Sequence, residues 1–197
     1  MKITILIDNR PNKENNKLIT EHGLSIFIET NEGQRILFDT GASGNFAKNA
    51  KLLDIDLSNI DFAAISHGHN DHIGGLDYFT SINSKSPVYI AENVWGNKFF
   101  SSRHPVKKNI SIDPEILNAH PDQFIKVKNS QWINEHIALV FNKRHTHPLP
   151  LGNRFLSVLN GQVEKADPFL HEMALVIKTD SGAVIISPCS HNGVENI

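Results

Sequence analysis

Six consecutive residues, His67-Gly68-His69-Asn70-Asp71-His72, carry three imidazoles and a carboxylate. Donors of this kind bind zinc, iron and manganese. The hexapeptide follows the apolar run Phe62-Ala63-Ala64-Ile65 and precedes Gly74-Gly75. It therefore reads as a loop handed on from a buried strand. Side chains alternate in an extended stretch, which lets His67 and His69 point the same way and grip one ion. Asp71 and His72 are adjacent and point elsewhere, so a second ion beside the first is the economical arrangement. Two ions about 3.5–4 Å apart can hold a bridging hydroxide and stabilise an oxygen on which charge develops. Gly68 leaves room in a crowded loop, and Gly74 and Gly75 let the backbone pass close by as a helix starts. A chance cluster of surface histidines explains two such residues better than it explains this string.

Other donors are weaker candidates. His145 and His147 form a second H-x-H, but Lys143, Arg144 and Pro148 around them read as an exposed loop. The task read for them is to hold an anionic group of a substrate, with Lys143 and Arg144 beside them. His171 and Glu172 precede an apolar run at Met173 and are candidates for contact with substrate or metal. His22, His104, His120 and His136 have no partner spacing and are read as surface or core polar residues. Cys189 is either a zinc ligand or a small buried hydrophobe, and the buried reading is preferred. Asp39 ends a strand before a Gly-rich turn, which suits a turn or N-cap aspartate.

The segment Ser66-His67-Gly68-His69-Asn70-Asp71-His72-Ile73-Gly74-Gly75-Leu76 resembles the signature of the metallo-β-lactamase fold superfamily. Gly33 to Thr40 followed by Gly41 resembles the superfamily's first motif, a strand ending in Asp-Thr-Gly. Asn49-Ala50 and Leu57 to Asp61 resemble the helix and turn that lead into the histidine motif. Ser187-Pro188-Cys189-Ser190-His191-Asn192-Gly193 resembles the Gly-Cys-Ser-His-x-Gly element of a subgroup named after a ribofuranosyl-aminobenzene phosphate synthase of methanopterin biosynthesis. The resemblance runs from about Gly23 to Ile197 and is weakest between Ser101 and Pro168.

The resemblance implies a four-layer αββα sandwich of the α/β class and a single domain over residues 1–197. It implies metal ligation by His67, His69, Asp71, His72 and His191, with Asp39 orienting a ligand histidine. The cofactor implied is a divalent metal, zinc first and manganese or iron next, as one or two ions. The expected activity is hydrolysis of a small ester, lactone, thioester or phosphodiester by a metal-bound hydroxide, with Asp71 as catalytic base. Two other functions stay open. One is a metal-binding module with little turnover, and the other is a pterin-pathway synthase. There are also departures from the pattern. Pro188 replaces an expected glycine, and no aspartate follows Ile186. The family continues beyond the point reached at Asn196-Ile197, through a helix, a strand and a last histidine. A C-terminal portion of the family domain is therefore expected to be absent.

Composition narrows the classes. A chain of 197 residues with 40% hydrophobic content suits one globular domain. Its net charge of −2 gives no electrostatic reason to expect nucleic acid, so a small-molecule substrate is expected. One cysteine cannot form an internal disulfide, which points to a reducing, cytoplasmic setting. Ile3 to Ile7 is too short for a secretory apolar region, and no run is long enough to span a bilayer. Nothing in the composition sets the oligomeric state.

The hexapeptide must be positioned by regular elements. Ile3–Ile7 is β-branched and reads as a core strand, and Arg10–Lys17 as a loop and candidate flap. Leu24–Thr30 and Gln34–Asp39 flank Asn31-Glu32-Gly33, a hairpin signal. Phe46, Ala47, Ala50 and Leu53 have helical spacing over Asn45–Leu53. Asp61–Ser66 reads as a short buried strand and Ile73–Ile82 as a helix with Leu76, Phe79 and Ile82 on one side. Val88–Ala91 reads as strand, Glu92–Phe100 as helix, and Ser101–Gln123 as an irregular insertion. Ile137–Phe141, Met173–Thr179 and Ala183–Ser187 read as strands, the last two closed by Asp180-Ser181-Gly182. Periodicity alone supports α/β or α+β.

Overall fold

The computed structural model describes residues 1–142 and 144–197. Lys143, a candidate for holding an anionic group, lies outside the described residues. In chain order the first elements are β1 (Lys2–Ile7), β2 (Ser25–Glu29), β3 (Arg35–Phe38) and α1 (Asn45–Leu52). Then come β4 (Phe62–Ala64), α2 (Asn70–Ile73), α3 (Leu76–Ile82), β5 (Val88–Ala91), β6 (Asn97–Ser101) and β7 (Lys108–Asn109). Next are α4 (Pro114–Ala119), β8 (Phe124–Val127), β9 (Gln131–Trp132) and β10 (Ile137–Phe141). The last are β11 (Leu156–Asn160), β12 (Val163–Ala166), β13 (Met173–Thr179) and β14 (Gly182–Ile186). No helix among the described residues is long and apolar enough to cross a membrane.

The chain divides into two compact units. The first comprises Met1–Ile65, His69–Ile90 and Ile112–Ile125, and the second Ser66–Gly68, Ala91–Ser111 and Lys126–Ile197.

The first unit is built on a sheet of order β1-β2-β3-β4-β5-β8. β1, β2 and β3 are antiparallel neighbours, while β3, β4 and β5 run parallel. Ile36, Leu37 and Phe38 of β3, and Phe62, Ala63 and Ala64 of β4, are all buried. Continuous apolar runs of this kind mark strands covered on both faces. Phe46 and Ala50 of α1 and Leu76 and Phe79 of α3 are buried, and each large side chain so buried contributes about 1.5–3 kcal/mol over exposure. Asn49 of α1 ties in the preceding loop: its Nδ2 donates to the carbonyls of Leu6 and Ile19 at 2.7 and 2.8 Å.

Three expectations are corrected in this unit. Among the described residues β1 is an edge strand that pairs with β2. Its Ile3 and Ile5 are exposed, and only Leu6 and Ile7 enter the core. The helix expected over Ile73–Ile82 is broken at Gly74-Gly75, and Ile82 is exposed. The break follows from close packing: a Cβ on Gly75 would lie 2.3 Å from the Thr40 carbonyl oxygen. The stretch Ser101–Gln123 is not wholly irregular, because α4 forms within it. Asp113 caps that helix by accepting the Glu115 N–H at 3.0 Å, with Pro114 in the first turn.

The second unit holds two four-stranded sheets, β14-β13-β10-β9 and β12-β11-β6-β7. Ile137–Phe141 pairs antiparallel with Met173–Ile177, and β13 and β14 form the expected hairpin. The expected helix over Glu92–Phe100 is instead a short 3-10 turn, Glu92–Val94, followed by β6. Gly96 between them has φ +73°, a left-handed turn that ends any helical run. The hairpin of β11 and β12 closes over Gly161-Gln162. Gly161, at φ +59°, supplies the positive φ that such a two-residue turn needs at its first position, a signal the strand assignment from sequence passes over.

Candidate metal centre

In the first unit the site is built where parallel strands β3 and β4 end. The Asp39 N–H donates to the Ala64 carbonyl at 3.0 Å, which aligns the two strand ends. Asp39 has φ 62°, a left-handed conformation that aspartate tolerates better than most residues. Asp39 and Thr40 then hold His72 from two directions. Asp39 Oδ2 lies 2.7 Å from His72 Nδ1, and the Thr40 N–H and Oγ1 donate to the His72 carbonyl at 2.8 and 3.1 Å. Both Asp39 and His72 are buried. This contact supports the reading of Asp39 as a residue that orients a ligand histidine.

His69 precedes the first residue of α2 and is buried together with its Nε2. Asp71 Oδ2 lies 3.6 Å from His72 Nε2 and 3.4 Å from Nε2 of His22. His22, which has no partner spacing in the sequence, is thus placed beside Asp71 by the fold. Gly23 explains how: the Leu24 N–H donates to the Asp71 carbonyl, and a Cβ on Gly23 would lie 2.2 Å from that oxygen. The His22 side chain is 74% exposed, and Asn9 Nδ2 meets its Nδ1 at 3.0 Å.

In the second unit, Ser66, His67 and Gly68 lie against the start of β13. The Met173 N–H donates to the Ser66 carbonyl at 2.7 Å, and Ser66 Oγ is 2.8 Å from His67 Nδ1. The Gly68 N–H donates to His171 Nδ1 at 3.0 Å, and His171 Nε2 lies 3.0 Å from Asp167 Oδ2. A backbone N–H can only donate, so His171 Nδ1 accepts and its Nε2 carries the proton given to Asp167. Both nitrogens are engaged. The candidate His171 is therefore a support for the loop, although its nitrogens and the Asp167 oxygens are of metal-ligand type and close together.

His191 is brought to His67, their ring centres 5.1 Å apart and their ligand nitrogens within 4.8 Å. Nε2 of each is fully buried. Phe169 stacks on the His191 ring at 4.5 Å with 7° between planes. Phe169 has φ 51°, costly for a bulky residue, and Asp167 Oδ1 supports it by accepting its N–H at 2.8 Å. Glu172 fixes the backbone of the same turn. Its Oε1 accepts the His191 N–H at 2.7 Å, and its Oε2 accepts the N–H and Nδ2 of Asn192 at 2.7 and 2.8 Å. Burial pushes the Glu172 carboxyl above its ordinary range, and these hydrogen bonds pull the other way. The expected contact of Glu172 with substrate or metal is replaced by this backbone role. Asn153 also touches His191, with Oδ1 3.0 Å from Nδ1 and Nδ2 2.7 Å from the carbonyl oxygen.

Cys189 is exposed, which corrects the preferred buried reading. It stands on a surface turn after β14, and its Sγ lies within 4.8 Å of a His67 ligand nitrogen. His145 meets Asn192 Oδ1 at 2.7 Å through Nε2, and His147 is exposed. The second H-x-H therefore braces the His191 turn through one of its members.

The donors expected from the sequence are imidazole nitrogens and one carboxylate, residue types that suit a divalent transition metal. Asp39 on Nδ1 leaves the His72 lone pair at Nε2, and the buried Nε2 atoms of His67, His69 and His191 are of the same type. Each of these histidines offers a nitrogen of the type such an ion takes.

The sequence profile of the Metallo-beta-lactamase superfamily matches residues 19–126, more than half of the chain. The chain belongs to the metallo-β-lactamase superfamily. Its fold class is the one expected from the histidine motif. A crystal structure of Tm1679, a metal-dependent hydrolase of the beta-lactamase superfamily, is similar with a TM-score of 0.81 and 29% identity. That match covers 98% of this chain and 68% of the other. The chain is 30% identical to a 7,8-dihydropterin-6-methyl-4-(beta-D-ribofuranosyl)-aminobenzene-5'-phosphate synthase of Methanocaldococcus jannaschii. The alignment takes in 91% of this chain but 65% of that protein, so the chain spans just under two thirds of this relative's length. A quorum-quenching N-acyl homoserine lactone lactonase shares the fold, with a TM-score of 0.50 and 18% identity, over 82% of this chain and 58% of the other.

Proposed function

We propose that this superfamily member is a metal-dependent hydrolase of a small ester, lactone, thioester or phosphodiester. The observation that carries the reading is the histidine hexapeptide with its Asp39–His72 contact of 2.7 Å. A carboxylate on the far nitrogen of a histidine fixes its tautomer and ring direction for metal binding. The ligands proposed are His67, His69, Asp71, His72 and His191, for one or two ions. Zinc suits this set first, and manganese or iron next. Such an ion acts as a Lewis acid and brings the pKa of water toward ~7.

The chain's own residues supply the rest. Asp39 holds the proton of His72 at Nδ1. Asp71 is the proposed base, taking the proton of the attacking water at a carboxylate oxygen. His67, His69, His72 and His191 are buried, so few waters compete for their nitrogens. A cavity of about 150 Å³ in the second unit is lined by Phe99, Val158 and Leu170, with Lys165 and Asn97 as polar groups. We propose that it takes an anionic part of the substrate, with the negative group toward Lys165. A cytoplasmic setting is proposed from the lone cysteine.

The pterin-pathway relative supports a second reading, a synthase using an aminobenzene-type acceptor and a phosphorylated sugar donor. The third reading is a metal-binding module with little turnover. Metal analysis of protein purified without chelator, followed by ester, lactone and phosphodiester assays with and without chelator, separates these. Bound metal with chelator-sensitive hydrolysis is expected. Metal without turnover on any substrate favours the binding module. Metal-free protein with unchanged hydrolysis defeats the proposal.

A further inference from the structure

We infer that Asn153 sets the tautomer of His191 and thereby presents His191 Nε2 as the donor atom. The inference rests on the reading of His191 as a metal ligand and names the residue that makes it one.

The argument starts from one amide. Asn153 meets His191 twice, at the carbonyl oxygen (2.7 Å) and at Nδ1 (3.0 Å). A carbonyl oxygen only accepts, so the amide end facing it is the NH₂ group. The reversed amide would set two acceptor oxygens 2.7 Å apart. The other end is therefore Oδ1, which also only accepts. His191 Nδ1 must carry a proton to satisfy it. A neutral imidazole has one N–H, so the lone pair is left at Nε2. His191 is buried, and its Nε2 is inaccessible to solvent.

The ring cannot easily turn away from this arrangement. Phe169 covers one face at 4.5 Å. Glu172 accepts the backbone N–H groups of His191 and Asn192, which fixes where the side chain departs from the chain. Asn153 holds the edge. The same task is done for His72 by the carboxylate of Asp39. The difference has a chemical consequence. A carboxylate stabilises a doubly protonated imidazolium, whereas a neutral amide does so far less. Asn153 thus fixes which nitrogen carries the proton of a neutral ring.

A purely structural role for Asn153 would reside in its tie to the His191 carbonyl. Two variants separate the roles. Asn153→Ala loses both contacts. Asn153→Asp keeps an acceptor for Nδ1 but loses the donor to the carbonyl. The first readout is long-range ¹H–¹⁵N NMR of the imidazoles in uniformly labelled, metal-free protein. The second is zinc affinity by competition with a chromophoric chelator. In wild type the His191 proton is expected on Nδ1. In Asn153→Ala the Nδ1–H form loses its dominance, and zinc affinity falls about 10–100-fold, as for other residues that orient a metal ligand. Asn153→Asp sets a carboxylate oxygen against the His191 carbonyl, and its expected effect is lower stability than wild type. A wild-type His191 protonated at Nε2 overturns the inference. So does Asn153→Ala with wild-type zinc affinity. If wild type binds no zinc, the metal reading fails, and the tautomer in metal-free protein still decides the role of Asn153. If Asn153→Ala does not fold, the wild-type spectrum alone decides it.

Discussion

Replacing Asp39 should cost the protein twice, once through His72 and once through the backbone. Its Oδ2 lies 2.7 Å from His72 Nδ1 in a buried pair. Removing that acceptor leaves a buried N–H, at about 1–3 kcal/mol. Asp39 also has φ 62°, and a methyl side chain in the left-handed region costs about 1–2 kcal/mol. Asp39→Ala is therefore expected to lose roughly 2–5 kcal/mol of stability. Asp39→Gly removes the acceptor but relaxes the backbone, so only the first cost applies. Asp39→Asn keeps both an acceptor oxygen and a tolerance for this conformation, and should lose about 1 kcal/mol, the charge-assisted share of the bond. The expected order of stability is wild type, Asn, Gly, Ala. Urea unfolding of metal-free protein measures it, and zinc competition should show Asp39→Ala weakened about 10–100-fold. Wild-type unfolding and wild-type zinc affinity in Asp39→Ala would refute the role given to this carboxylate. Equal stability of the Gly and Ala variants would refute the backbone part alone.

Further outcomes are expected elsewhere. Gly75→Ala should destabilise by at least about 1–3 kcal/mol, because its Cβ would meet the carbonyl oxygens of Thr40 and Ser43 at 2.3 and 2.6 Å; an unchanged urea midpoint would contradict this packing. Burial raises the Glu172 carboxyl above its ordinary 4.5. The unfolded chain then ionises first as pH rises, so this group's contribution to stability is full below about 4.5 and falls through the window up to its raised folded value. Unfolding of metal-free protein across this range should show that decline, with Glu172→Gln lacking it; a wild-type contribution that increases with pH would reverse the sign. Lys165→Ala should raise KM for an anionic substrate with little change in kcat, and steady-state kinetics on paired anionic and neutral esters would expose an error if both substrates responded alike.

Much of the first unit was legible because its signals are local. The β2–β3 hairpin, α1 and β4 follow from turn residues and apolar spacing within a few positions. The errors have local causes too. Alternating isoleucines mark a strand but do not say whether it lies at an edge, as β1 does. A run such as Glu92–Phe100 can be read with helical period until Gly96, at φ +73°, turns the chain.

The histidine motif could be read from residue types and spacing, and the family from its resemblance to a known signature. What each nitrogen does could not. His171 and His191 look alike in the sequence, both beside the ends of strands. In the fold, His171 spends both nitrogens on Gly68 and Asp167, 103 and 4 residues away. His191 meets Asn153 at Nδ1, 38 residues upstream, and His72 meets Asp39, 33 residues upstream. A tautomer is chosen by the hydrogen-bond partner across the ring. Partners that distant in the chain are chosen by packing, so only the tertiary structure separates a nitrogen that can hold an ion from one that holds the loop.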